Sequence, residues 1–225
     1  MELKDRIKRL QTFLGVDSDG IIGNNTITAL EKELKINTDE MKTVCICIGH
    51  STKDEGAWSS DGKLGEYTFN KELADFIKAE LVSASISAVI VNRLTDGGGT
   101  GMSADIKAVN SIKSDCIIEL HANAYNSKAT GTETLYWHSS TKGKYLAQCI
   151  QDEMVKTLGL ADRGIKPING SDRGGSVLKG SYYPMVITEP FFIDNPTDLE
   201  KATDKRKDLA IAIAKGIIKY LYTVE

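Results

Sequence analysis

The sequence predicts an α/β fold, a twisted and mainly parallel sheet with helices on both faces, preceded by a small all-α hairpin module. Three observations carry this. From residue 42 onward, short runs dense in Val, Ile, Leu and Cys, such as TVCICI and CIIEL, alternate with longer segments of helical period. Those runs lack the apolar–polar alternation of a sheet wet on one side, so both faces are expected to be covered, as in parallel sheets. Ahead of them Leu3, Ile7, Leu10 and Leu14 recur at helical spacing, and Ile27, Leu30 and Leu34 do so again.

Residues 1–36 form the predicted hairpin. Its turn, GVDSDGIIGNNT, gathers Gly15, Gly20 and Gly23 around Asp17 and Asp19, a composition suited to left-handed backbone. A unit this small has little core of its own. The polar stretch at 37–41 reads as a linker, and 42–225 as one domain. There the order is strand KTVCICIG, helix EYTFNKELADFIKAEL, strand ISAVIVN and a helix near 103–113. Strands SDCIIEL and GTETLYWH follow, then a helix near 140–158, strand PMVITEPF and a closing helix RKDLAIAIAKGIIKYLY. Ligands of such sheets collect outside the carboxyl ends of the strands.

The 225 residues carry a net charge of −3 with both signs interspersed, which argues against nucleic acid as a partner and against membrane insertion. The N-terminal MELKDRIKRLQTFLG has no unbroken apolar run, so synthesis is expected in the cytoplasm without a signal peptide. Cys45, Cys47, Cys116 and Cys149 sit inside apolar runs and read as buried thiols; Cys45 and Cys47 share a strand face, but no second pair completes a metal site.

Three strand ends carry a metal-competent or titratable side chain: His50, His121 and Glu189. Glu66 joins them where the first long helix opens, a position that favours a carboxylate. Each alone is a weak signal, since strand-end histidines usually serve structure. Together His50, Glu66 and His121 match the three-ligand set of a catalytic zinc, which leaves a fourth position for water. The third histidine, His138, precedes a helix and reads as structural. GGGTG at 97–101 lies between a strand and a helix as a dinucleotide turn would, but Met102 stands where the third glycine is needed, so a plain loop is expected.

IGHSTKDEGA with Glu66 and Asn70, then NRLTD, AVNSIKSDCIIELHANA, GTETLYW, LADRGIK and SVLKGSYYPMVITEPFFIDN occur in an order that resembles the zinc-dependent N-acetylmuramoyl-L-alanine amidases of the type 3 family. The resemblance spans nearly all of residues 42–222. It implies a Zn2+ held by His50, Glu66 and His121, with Glu189 catalytic, and hydrolysis of the amide between N-acetylmuramic acid and L-alanine in bacterial peptidoglycan. The hairpin resembles a peptidoglycan-binding module through Leu10, Gln11, Asp19, Gly20, Gly23, Thr26, Ala29 and Leu30. A docking hairpin that only supports the catalytic domain is the alternative.

The chain departs from the family at Cys47 and Ile48, where Asp-Pro is usual, at Asp105, usually Arg, and at Glu119, usually Ser. No metal ligand is lost. Glu119 shares a strand face with His121 and is either its partner or solvent-facing. Asn123 either shapes the site or satisfies loop backbone, and Tyr182 and Tyr183 either pack or form a shelf for sugar or peptide. The implied biology is a phage endolysin, or another lytic enzyme, reaching the wall after release. A zinc peptidase cutting within the stem peptide and a non-catalytic wall-binding protein are the competing functions.

Overall fold

The computed structural model describes residues 2–34, 41–92 and 101–223, without the side chains of 101–105. The expected linker apart from Met41, the glycine-rich loop up to Thr100 and the Asp105 side chain lie outside the described residues. The chain divides into two compact units, Met1–Met41 and Lys42–Glu225.

The first unit pairs α1 (Leu3–Leu14) with α2 (Asn24–Glu33). α1 stops at Gly15, whose φ of 71° is the left-handed backbone that glycine adopts without strain. The turn is tied down by one side chain. Gln11, 1 % exposed, aims its Nε2 at Asp19 Oδ1 (2.7 Å), the Ile21 carbonyl (2.9 Å) and Thr26 Oγ1 (3.1 Å). Its Oε1 accepts from the Gly20 amide at 2.8 Å. Asp19 Oδ1 also accepts from the Ile21 amide, and its carboxyl sits below the usual range, chiefly through that backbone bond and then through Gln11. Four of the residues that carry the hairpin's pattern are therefore one hydrogen-bonded knot. Gln11→Leu is expected to strip this knot of its centre and destabilise the hairpin by about 1 kcal/mol, since Thr26 is buried and loses a partner whereas the exposed Asp19 and Ile21 turn to water. Amide hydrogen exchange confined to residues 2–34 measures it.

The second unit is a six-stranded sheet of order β2-β1-β3-β6-β4-β5, with β1 (Thr43–Ile48), β2 (Ser87–Asn92), β3 (Cys116–Leu120), β4 (Thr132–Trp137), β5 (Asp162–Ile168) and β6 (Met185–Glu189). β2, β1, β3 and β6 are mutually parallel. β4 runs antiparallel to β6 and parallel to β5. The reversal follows from the connection: residues 121–131 contain no helix, so the chain returns as a loop at the same end of the sheet.

Alternate residues of β1 divide between two cores. Val44, Ile46 and Ile48 face one, filled from α3 (Glu66–Ser83), α5 (Thr141–Leu158) and α8 (Arg206–Thr223). Cys45 and Cys47 face the other with Ile117, Ile187, Val109 of α4 (Gly101–Ser111) and Leu178 of α6 (Gly175–Gly180). The period of two thus survives inside runs that look uniformly apolar. All four cysteines are buried thiols outside any disulfide. α8 lies close against α5 through Gly216, where a Cβ would stand 2.6 Å from Ile150 Cα.

Three elements were not legible in the sequence. β5, DRGIKPI, holds a proline and a glycine, which an edge strand tolerates because one side of its ladder is unpaired. α6 is only six residues. α7 (Pro196–Asp204) opens with an Asn195 cap whose side chain accepts from Thr197 and Asp198 amides, with Pro at the first turn.

Candidate metal centre

β1 ends at Ile48, and two residues later His50 adopts φ 66°, a left-handed conformation that is uncommon for a residue with a Cβ. The turn is closed by paired backbone bonds between Ser51 and Asp54, 2.9 and 3.2 Å. It lays the imidazole over the sheet edge. Gly49 makes room, since a Cβ there would meet the His121 ring at 2.4 Å. The Gly-His pair is thus a packing requirement between the two histidines, whose ring centroids are 5.2 Å apart.

Glu66, the first residue of α3, is fully buried. Its Oε1 receives His121 Nδ1 at 2.8 Å and the Ala122 amide at 2.9 Å. Its Oε2 accepts from the Ala57 amide at 3.1 Å and lies 3.3 Å from His50 Nε2. Burial works to raise this carboxyl's pKa, but the hydrogen bond from His121 and the proximity of both imidazoles outweigh it, and Glu66 is held well below the ordinary range. It is a permanent anion in a buried place.

His121 follows β3 directly and is 8 % exposed. Burial alone would lower its pKa; Glu119 and Glu66 more than reverse this and push it up to about 10. Glu119 Oε1 stands 3.3 Å from His121 Nε2, so the residue whose role the sequence left open is a partner of the histidine. That contact fixes the ring and directs Nδ1 inward, the arrangement by which carboxylates commonly orient metal-binding imidazoles.

One ligand atom from each of His50, Glu66 and His121 lies within 4.8 Å of the other two. The buried His50 Nε2 has no hydrogen-bond partner although it faces Glu66. An orphaned imidazole nitrogen, a second imidazole and an anionic carboxylate converging on one point fit a divalent cation that takes nitrogen and oxygen ligands.

Glu189 ends β6, 5 % exposed, and its buried Oε2 has no hydrogen-bond partner. Burial is the main cause that raises its pKa to about 7; His121 and Arg173 pull it down, and Glu66 and Glu133 push it up. His50, His121, Glu119 and Glu189 line one cavity of about 160 Å³, closed by Leu135, Ile187, Val177, Gly174 and Arg173. In the metal-free chain it is therefore shared by a histidine that retains its proton and a carboxyl poised near neutrality.

Asn123 donates to Glu133 Oε1 at 2.6 Å, while Glu133 Oε2 receives Arg163 Nε at 2.8 Å. Glu133 pairs with Glu189 across the β6–β4 register. Asn123 thus locks the loop after His121 beside the end of β6, through backbone bonds to Phe191 and Ile193 of 2.9 and 2.8 Å. Neither Glu133 nor Arg173 stood out in the sequence, because an antiparallel strand and a late turn bring them in. Tyr182 and Tyr183 are not brought to this cavity. They precede β6, at the opposite end of the strand from Glu189, and line a separate surface groove with Trp137 and Lys142.

Comparison with known proteins agrees with this picture. The family model described as N-acetylmuramoyl-L-alanine amidase matches residues 44–219. N-acetylmuramoyl-L-alanine amidase LytC of Bacillus subtilis is 31 % identical over 208 residues, covering 89 % of this chain and 40 % of that protein. The endolysin of Bacillus phage SPP1 is 31 % identical over 189 residues, 80 % of this chain and 66 % of the endolysin. The chain spans about two-fifths of the length of the first curated relatives it matches. Among solved structures, an N-acetylmuramoyl-L-alanine amidase from Clostridium difficile superposes with a TM-score of 0.71 at 28 % identity, covering 82 % of this chain and 99 % of that one. With residues 44–219, more than two thirds of its length, matched by the family model, this chain belongs to the N-acetylmuramoyl-L-alanine amidase family.

Proposed function

We propose that the chain is a zinc-dependent hydrolase of the amide between the lactyl group of N-acetylmuramic acid and L-alanine of the stem peptide. The observation that carries this is the convergence of His50, Glu66 and His121, two of which, His50 and His121, line one cavity together with Glu189, whose buried Oε2 has no hydrogen-bond partner. Family membership and the relatives' names support the substrate.

Zinc, when bound by His50, Glu66 and His121, supplies a Lewis acid that lowers the pKa of water and polarises a carbonyl. The rest falls to the chain's own groups. Glu66 balances the cation's charge, and Glu119 holds His121 in the tautomer that keeps Nδ1 free of its proton. Glu189 Oε2 takes a proton from the attacking water and delivers it to the departing L-alanine nitrogen. Burial raises its pKa and a bound cation would offset part of that rise, which leaves a carboxylate able to take the water's proton and pass it to the amine.

For the hairpin we favour wall binding. The knot around Gln11 shapes a cavity of about 330 Å³ lined by Val16, Asp17, Asp19, Gly23, Asn24 and Thr26. A phage-type lytic role is consistent with the endolysin among the relatives.

Mass spectrometry of digested peptidoglycan, with and without a chelator, tests the reading. Free lactyl ends released only in the metal-loaded state are expected. Cuts within the stem peptide would assign the zinc peptidase instead, and zinc content far below one per chain would leave a wall-binding protein without catalysis. Retention of the Gln11→Leu chain on sedimented walls should fall; unchanged retention would make the hairpin a docking element only.

A further inference from the structure

We infer that Arg173 is a specificity-determining residue that binds the free carboxylate on the second residue of the stem peptide. The inference rests on the amidase reading of the same cavity.

Among the described residues lining this cavity, Arg173 is the one permanent cation, alongside two histidines and the carboxyl groups Glu119 and Glu189. It is solvent-exposed, so its guanidinium is not engaged in core packing. Among the described residues no carboxylate forms an ion pair with it. Yet its backbone is firmly placed. Asp172 Oδ2 accepts from the Asn169 amide at 2.7 Å, and the Asp172 carbonyl accepts from Gly175 at 2.9 Å. Gly174, φ 79°, lies so close to β6 that a Cβ would meet Ile187 Cδ1 at 2.5 Å. Ile187 is two residues from Glu189 on the same strand, so both point to the same side of the sheet. A rigid turn thus holds a cation against the wall that carries Glu189. That geometry would be wasteful if the guanidinium only met water.

The substrate offers a match. D-glutamate, second in the stem, is linked onward through its side-chain carboxyl and so keeps its α-carboxylate, which some bacteria convert to a carboxamide. Two residues of extended peptide span at most about 7 Å, so this carboxylate stays within a cavity's width of the scissile amide. The muramic acid side offers no competing anion, because the lactyl carboxyl is itself in the amide. A guanidinium grips a carboxylate through two parallel hydrogen bonds and has no comparable grip on a carboxamide, which presents only one acceptor oxygen.

The test compares two muramoyl tripeptides that end in an amide and differ only at residue 2, carboxylate against carboxamide. Cleavage position is read by mass spectrometry and kcat and KM are taken separately. Wild-type chain is expected to favour the carboxylate by roughly tenfold to a hundredfold in kcat/KM, as a charge-assisted hydrogen bond provides. Arg173→Gln should bring that ratio near one through a raised KM for the carboxylate form, and Arg173→Lys should keep part of it. No preference in the wild type, or one that survives Arg173→Gln, overturns the proposal. So does an equal loss on both substrates with a shifted pH profile, which would mean that Arg173 acts on Glu189 instead. A preference that follows Arg173 while the cut falls inside the stem peptide would uphold the proposal and overturn the amidase reading alone.

Discussion

Glu189→Gln is expected to retain one zinc per chain and to lose activity by about 10²–10⁴-fold, the contribution of a positioned acid–base group. The substitution keeps the shape of a side chain that is 5 % exposed and removes only its ability to take a proton. Because Oε2 has no hydrogen-bond partner, no structural contact is lost with it. The loss should sit in kcat rather than in KM, since the proton moves only during reaction. The pH profile supplies an independent readout. Burial raises Glu189 to about 7, so in the metal-free chain it is protonated below neutrality. A cation at the histidines favours the ionised form and moves that titration downward. Activity in the wild type should therefore fall on the acid side at a pH below 7, and Glu189→Gln should abolish that limb. Wild-type rates of lactyl-end release in purified Glu189→Gln would remove Glu189 from the mechanism.

His121→Ala should lose both metal and activity. Outer partners of a metal ligand already cost about 10–100-fold in affinity when mutated, so removal of the ligand itself should exceed that. Zinc competition against a chromophoric chelator measures it without recourse to turnover. The change has a second cost. Glu66 Oε1 loses its 2.8 Å partner and keeps only the Ala122 amide, so a buried anion is left under-satisfied. Breaking a buried pair in this way costs about 3–5 kcal/mol, which chemical denaturation of the metal-free proteins would detect. In the metal-free fold Glu66 is held anionic and His121 cationic, so the difference should shrink in acid, as Glu66 takes a proton, and also as pH rises from 6.5 toward the His121 value of about 10. Equal zinc affinity in variant and wild type would place the metal elsewhere.

The clustering of the candidate residues was legible because they sit where apolar runs stop. TVCICI and CIIEL are buried on both faces, and a histidine at the end of such a run has to emerge at the sheet's carboxyl edge. Proximity of His50, His121 and Glu189 then follows from β1, β3 and β6 being neighbours. The aromatic pair Tyr182 and Tyr183 shows the limit of that reading. Their place just before β6 allows either packing or a shelf for sugar or peptide, and that strand of five residues puts about 13 Å between its first residue and Glu189, its last. Glu133 was hidden for a different reason. Its approach to Glu189 depends on β4 running backwards, and the sign of that reversal was written in what the loop 121–131 lacks, a helical period, rather than in any residue it contains. Glu119 could not be assigned from the strand alone, since a side chain two residues before His121 shares its face whether or not it reaches the ring.

The order of strands has a consequence for how the molecule comes into being. β6 fills the place between β3 and β4, although both are made long before it. Until it docks, two strand edges face each other across a gap with their backbone groups open, the state in which chains are most prone to pair wrongly. The same gap withholds the reaction. His50, Glu66 and His121 are all in place upstream, yet the wall that carries Glu189 and Ile187 is missing, and with it the seat of the turn that presents Arg173. If the chain works as proposed, a nascent chain would be a metal-binding half-site without a proton carrier. Its hydrolytic power would then arrive in one step, with the insertion of a strand of five residues.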